Sequence, residues 1–214
     1  VAGAAAMVGE DAGDQCRIVL RQRGNKVLVD ADGQPAPQPF GYANLAVRGR
    51  LIEQVTGEQL EAGLALTPDL VSLSAGGNNY LRPRVNRDAV IDQLEDAVAQ
   101  IRETGADVLL ITAPDISRTP VLRRVSPRFA EFTANVWGIA QRYDCHVADI
   151  WTLRALRDAR MWAPDRIHLT TEGHRRVALA ALTSLGHGLH LHDGEVVLGA
   201  GFRQIQHAQR GADR

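Results

Sequence analysis

A chain of 214 residues, 45% of them hydrophobic, can bury one sizeable core, which argues against a disordered protein and points to one domain with short appendages. A formal net charge of -1 gives no electrostatic pull toward nucleic acid or an acidic membrane surface. No apolar run approaches the ~20 residues that a bilayer-spanning helix needs, and Cys16 and Cys145 fit neither a metal-ligand spacing nor a disulfide framework.

The opening VAGAAAMVGE lacks the basic leader of a signal peptide, so a cytoplasmic location is expected. Next, CRIVLRQRGNKVLVDADGQ reads as a β-hairpin turning at Gly24 and Asn25, followed by the extended linker QPAPQP. From Phe40 onward, short apolar runs alternate with amphipathic segments, the pattern of a parallel sheet covered by helices. FGYANLAV is a first strand-like run, and RLIEQVTGEQLEAGLAL after Gly49 supplies a helix. DLVSLSA is a buried strand. RDAVIDQLEDAVAQIRETG places Val90, Ile91, Leu94, Val98 and Ile101 on one helical face and is closed by Gly105.

DVLLIT is the next buried strand. SPRFAEFTANVWGIAQRY predicts a helix with Ser126 as N-cap and Pro127 at the first helical position, burying Phe129, Phe132, Val136 and Ile139. HVADIW is a short strand, and a last helix starts near Thr170 or Thr171. LHLHDGEVVLGA reads as a second hairpin, free to extend the sheet or to pack with the first. The expected organisation is a divergent segment over 1–39, a main domain over 40–186 and a C-terminal extension over 187–214. The expected fold is α/β, a three-layer α/β/α sandwich whose ligands sit at the carboxyl ends of the strands.

Three features carry chemistry. Asp165 and His168 are separated by two residues in a loop before a helix, so the carboxylate can turn back to the imidazole, fix its tautomer and stabilise its charged form. The same spacing also suits a helix cap beside an exposed histidine. Gly76 and Gly77 let the backbone leave a strand with unusual dihedrals, so that Asn78 can aim its amide at a developing oxyanion or simply occupy a turn. Gly49 closes a strand-like run at the same edge and frees a backbone N–H, or is an ordinary strand-to-helix turn.

From Phe40 to about Leu185 the sequence resembles the SGNH hydrolases, also called the GDSL lipase/esterase family. The resemblance implies a flavodoxin-like sheet and ester or acetyl cleavage by a serine nucleophile, with no metal or organic cofactor. Gly49 matches the family's oxyanion glycine. The run GGNN matches its Gly-x-Asn-Asp block, which gives Asn78 the second oxyanion role and leaves Asn79 where the family has Asp. Asp165, Arg166, Ile167 and His168 match its Asp-x-x-His block, and Trp162 just upstream suits it.

The family's Gly-Asp-Ser block, the source of the nucleophile, has no counterpart: no serine precedes Ser72. In VGEDAGD, Asp11 falls at the serine position only through an accidental alignment. Cys16 has no evident base beside it, Ser72 and Ser74 read as strand residues, and Thr170 and Thr171 as helix caps. The chain is therefore expected to be an altered family member with an impaired site, or a non-catalytic pseudoenzyme that holds an acyl or carbohydrate group. A flavin- or nucleotide-binding protein would need a phosphate-cradling loop after the first strand, and none is visible.

Outside these blocks, His174 is expected at the surface and Asp149 to orient a neighbouring loop. His187, His190, His192 and Asp193 form a histidine-rich cluster that either lies on a solvated strand or, with His190 and His192 on one strand face, holds a metal. The expected partner is a small ester or acetylated substrate, with neither nucleic acid nor a membrane span.

Overall fold

A computed structural model describes residues 18–22, 43–47, 49–119, 122–186, 189–192 and 195–198, the first and the last two of these through their backbone alone. Asp11, Cys16, His187, Asp193 and the second arm of the amino-terminal hairpin lie outside the described residues, as do the side chains of His190 and His192.

Among the described residues the main sheet has five strands: β1 (Ile18–Gln22), β2 (Ala43–Asn44), β3 (Pro68–Leu73), β4 (Asp107–Ile111) and β5 (His146–Ala148). Their order, β2-β1-β3-β4-β5, is that of flavodoxin-like α/β folds. Strands β3, β4 and β5 are parallel, with Val71 opposite Val108 and Leu110 opposite Val147. Strand β1 runs antiparallel to both its neighbours, so Ile18 faces Leu73 and Gln22 faces Pro68. Its carboxyl end therefore lies at the amino edge of the parallel strands. Of the expected amino-terminal hairpin, the described arm, β1, joins the sheet, while β6 (Leu189–His192) and β7 (Glu195–Leu198) pair antiparallel in a separate two-stranded sheet.

Alternation along the parallel strands sets the two faces. Val71, Leu73, Val108, Leu110 and Val147 point into the larger core. Leu70, Leu109, Ile111 and Ala148 point the other way, against Ala181 and Leu185. The larger core is covered by α4 (Arg87–Glu103) and α5 (Ser126–Tyr143), together with a helical segment over residues 52–64. That segment is α1 (Ile52–Gln54), a π turn (Val55–Gln59) and α2 (Leu60–Leu64), interrupted where Gly57 leaves helical geometry. The smaller face is covered by α6 (Thr171–Ser184), whose last residue offers its carbonyl to His146 Nδ1 at 3.0 Å. Layers of helix, sheet and helix result.

Helix α4 buries the expected stripe of Val90, Ile91, Leu94, Val98 and Ile101, and adds Ala97. Asn86 caps it by accepting from Ala89 N at 3.3 Å, and Gly105 ends the following turn at φ 81°. Helix α5 buries Phe129, Phe132, Val136 and Ile139 as expected, but Ser126 is not its cap. A 3-10 turn over Arg123–Val125 runs straight into it, so Ser126 is already helical and Pro127 falls one position later. No helix among the described residues is long and apolar enough to cross a membrane.

Candidate functional site

The carboxyl edge of β3 turns sharply at Gly76. Its φ of 96° suits glycine, and a Cβ there would come within 3.0 Å of Phe132 Cε2 and 3.1 Å of Val90 Cγ1. Packing against the two large helices and the left-handed turn thus demand the same residue. The chain re-enters as one helical turn, α3 (Gly77–Tyr80), and this carries both asparagines.

Those asparagines clasp the loop before α1. Asn78 Nδ2 donates to Arg50 O at 3.0 Å, beside Gly49, which stands at φ 77° in an exposed turn. Asn79 is buried; its Oδ1 accepts from Ile52 N at 2.9 Å, and its Nδ2 donates to Glu53 Oε1 at 3.3 Å. An amide can do both at once, since it offers an acceptor and a donor. Asn79 therefore satisfies an orphan N–H at the start of α1 and fixes the loop that presents Gly49. Asn78 spends one of its two N–H groups on Arg50 and keeps the second.

The other half of the edge follows β5. Asp149 accepts from Thr112 Oγ1 at 3.1 Å, from Trp151 N at 3.1 Å and from Thr152 Oγ1 at 2.9 Å. Through Thr112 it orients the neighbouring loop after β4, as expected, and through Trp151 and Thr152 it fixes its own loop as well. Arg157 reaches Asp115 at 3.4 Å and adds a second tie between the same two loops.

Beyond a 3-10 turn (Ala159–Met161), the chain folds back on itself. Trp162 and Leu169 form an isolated antiparallel bridge, Ala163 N donates to His168 O at 2.8 Å, and Thr170 N donates to Met161 O at 2.9 Å. Trp162 Nε1 donates to Leu156 O at 2.6 Å, which gives this tryptophan an anchoring task. At the tip of this clip, His168 Nδ1 meets Asp165 Oδ2 at 2.5 Å. Asp165 Oδ1 accepts from the backbone N–H groups of Ile167 and His168 at 2.9 and 3.1 Å. The carboxylate thus turns back to the imidazole, as the spacing allows.

The His168 hydrogen bond, followed by these backbone donors, holds the Asp165 carboxyl well below its ordinary range. In the same clip, a side-chain hydrogen bond from Arg160 lowers the Asp158 carboxyl to about 2.

Several contributors were not legible in the sequence. Arg166 adopts φ 59°, and its Nη1 donates to Ala159 O at 2.7 Å, which closes the turn that brings Asp165 to His168. Gly173, in the first turn of α6, lets the helix approach the clip: a Cβ there would meet Met161 O at 2.4 Å. A glycine inside a helical pattern is the signal that could have flagged it. Thr170 is the N-cap of α6, accepting from Gly173 N at 3.3 Å, in line with its reading as a cap. His174 is half-buried, not at the surface, because α6 turns that side toward the protein.

Ser72 is buried within β3 and Ser74 is half-buried just after it. Among the described residues, no group of three or more His, Cys, Asp or Glu side chains is placed to hold a metal. The Cys145 thiol is pushed up to about 11 by burial, so it is a poor nucleophile.

Solved structures share this architecture. An α/β hydrolase enzyme from the metagenome of Lake Arreo, Spain, is 23% identical with a TM-score of 0.56, over 65% of this chain and 69% of that one. Axe2, an acetylxylan esterase from Geobacillus stearothermophilus, is 21% identical with a TM-score of 0.56 over the same shares. TesA is 23% identical with a TM-score of 0.53, over 64% of this chain and 73% of its own. At such identities the likeness concerns the fold. No match was found among curated proteins. The model of the GDSL-like lipase/acylhydrolase family matches residues 22–176, more than half of the chain, and the chain belongs to that family.

Proposed function

We propose that residues 40–186 form a site for carboxylic esters or acetyl groups, built for serine hydrolysis but impaired in this chain. The observation that carries this reading is the 2.5 Å contact between His168 Nδ1 and Asp165 Oδ2 at the tip of a clip beyond the carboxyl end of β5. With Nδ1 committed to the carboxylate, proton exchange falls to Nε2.

In a site of this kind a serine Oγ attacks the carbonyl carbon while His168 takes its proton. The tetrahedral oxyanion is met by Gly49 N–H and by the second N–H of Asn78. His168 then returns the proton to the departing alcohol, and a water repeats the cycle on the acyl-enzyme. Asp165 orients His168 throughout and stabilises the imidazolium. Gly76, Gly77 and Asn79 support the oxyanion side.

The impairment rests on the nucleophile. No serine lies among residues 1–71, and β1 ends at the amino edge of the parallel strands, opposite the edge that carries Gly76 and Asn78. The same two facts favour a second reading, a non-catalytic module that retains an acyl or carbohydrate group. Acetylated xylan fragments are suitable ligands to try, given the fold shared with an acetylxylan esterase.

The test is intact-mass analysis after treatment with a fluorophosphonate probe, with His168→Ala alongside. No adduct is expected. A single adduct that requires His168 would show an activated nucleophile and sink the impairment. Calorimetric titration with acetylated xylo-oligosaccharide then separates the readings: acetate release supports the hydrolase, and saturable binding without release supports the module.

A further inference from the structure

A cavity of about 320 Å³ opens between the segment after α3 and the start of α5. Three of its six lining residues are arginines, Arg84, Arg87 and Arg128; Asp88 is the one acid among them. Two of these guanidinium groups are held in place. Arg87 Nε pairs with Glu131 Oε1 at 3.0 Å, and Arg128 Nη1 donates to Arg82 O at 3.2 Å. Arg84 is exposed, and among the described residues it makes neither a hydrogen bond nor an ion pair.

The surroundings are more basic than the chain as a whole. Arg82, Arg123 and Arg124 flank the lining arginines in sequence, so six arginines stand against Asp88 and Glu131 in a chain whose formal net charge is -1. Beneath them the Tyr80 hydroxyl is fully buried without a hydrogen-bond partner and lies in the field of Glu131, Arg87 and Asp88. The amino terminus of the 17-residue helix α4 adds positive potential.

We propose that this cavity binds a small oxyanion, a carboxylate or phosphate group, gripped by Arg84, Arg87 and Arg128. The planar guanidinium fork suits two-oxygen recognition of such groups, and contacts that already orient Arg87 and Arg128 reduce the ordering cost. The anion has two sources: free in solution, or carried on the substrate of the proposed esterase site, in which case the inference rests on that reading. Arg84 lies six positions after Asn78, a span of at most about 22 Å, within reach of an extended ester bearing a terminal carboxylate.

The experiment is an amide NMR titration of the full chain with sodium phosphate, against sodium chloride at matched ionic strength. Saturable shifts at residues 84–88 and 128, weakened at least tenfold by Arg84→Asn, are expected. Asparagine tolerates the left-handed backbone that Arg84 adopts at φ 61°, so this variant removes the charge without straining the turn. Shifts that grow linearly with salt, match those in chloride or survive Arg84→Asn would overturn the proposal.

A second arm uses N-succinyl-p-nitroaniline, an anionic amide that resists ester hydrolysis. Shifts at both the cavity and the Asn78 side-chain amide assign the anion to a substrate. Shifts at the cavity alone assign it to a free oxyanion, and shifts that spare the cavity overturn the site. Turnover is not read in either arm, so a chain without esterase activity leaves the test intact.

Discussion

The two halves of the carboxyl edge are built by different physics. Around Gly76, the site is fused to the core: Tyr80 is fully buried against Phe129 and Phe132, and Asn79 is sealed beneath α1. Around His168, the site is an outlying clip that closes mostly on its own backbone, with 46% of the Asp165 side chain exposed. Damage to the first half should cost stability, and damage to the second should alter proton chemistry in a chain that stays folded.

The largest effect is expected at Gly76. Alanine there must adopt left-handed geometry, which costs about 1–2 kcal/mol, and must also displace Phe132 or Val90 from contacts near 3 Å. A total loss of about 2–4 kcal/mol is expected from urea unfolding, with an unchanged m-value. A loss below about 0.5 kcal/mol would mean that the turn is not tied to the core, and the contrast would fail.

Asn79→Ala comes next. It strips the partner from Ile52 N, a buried donor, and leaves Glu53 without its amide contact. The expected cost is about 1–3 kcal/mol, the usual penalty for an unsatisfied buried group. Asn79→Asp sharpens the point, because it keeps the acceptor for Ile52 N but sets a carboxylate beside Glu53. If the aspartate variant is as stable as the parent, the acceptor alone matters; if it resembles alanine, the donor to Glu53 matters as well. Equilibrium unfolding of the two variants side by side decides.

How far the sequence exposes this arrangement depends on the range of the interaction. Helix α4 was readable because its stripe from Val90 to Ile101 is a local periodicity, and the Asp165 to His168 contact because its partners are three residues apart. Direction and distant partners were not readable. The apolar run at residues 18–20 marks a strand but carries no sign of which way it runs, and β1 is reversed. Asn79 stands where the family has Asp, and its role was not readable because its partner, Ile52 N, lies 27 residues earlier. Ser126 looked like a cap because a serine before a proline is a local signal, and the 3-10 turn that displaces it depends on the approach of the preceding loop.

The smallest expected effect on stability, and the most informative for the chemistry, lies at His168. Because Asp165 is so exposed, solvent screens the pair, and His168→Ala should leave the unfolding transition nearly unchanged. The carboxyl of Asp165 should nevertheless respond strongly. The His168 hydrogen bond is the largest cause of its depression, so the folded chain keeps Asp165 ionised as pH falls through the ordinary value of 3.8. The sign follows: a folded-state value below the unfolded one makes the pair's contribution complete above 3.8, and it is lost only as pH drops toward the lower folded-state value. Carboxyl-carbon NMR should therefore show no midpoint for Asp165 near 3.8 in the parent chain. In His168→Ala the midpoint should rise toward that value but stay below it, since the N–H groups of residues 167 and 168 still donate to the carboxylate. An Asp165 titration unmoved by the substitution would mean that the backbone alone holds the carboxylate, and the clip would be a turn in which the histidine takes no electrostatic part.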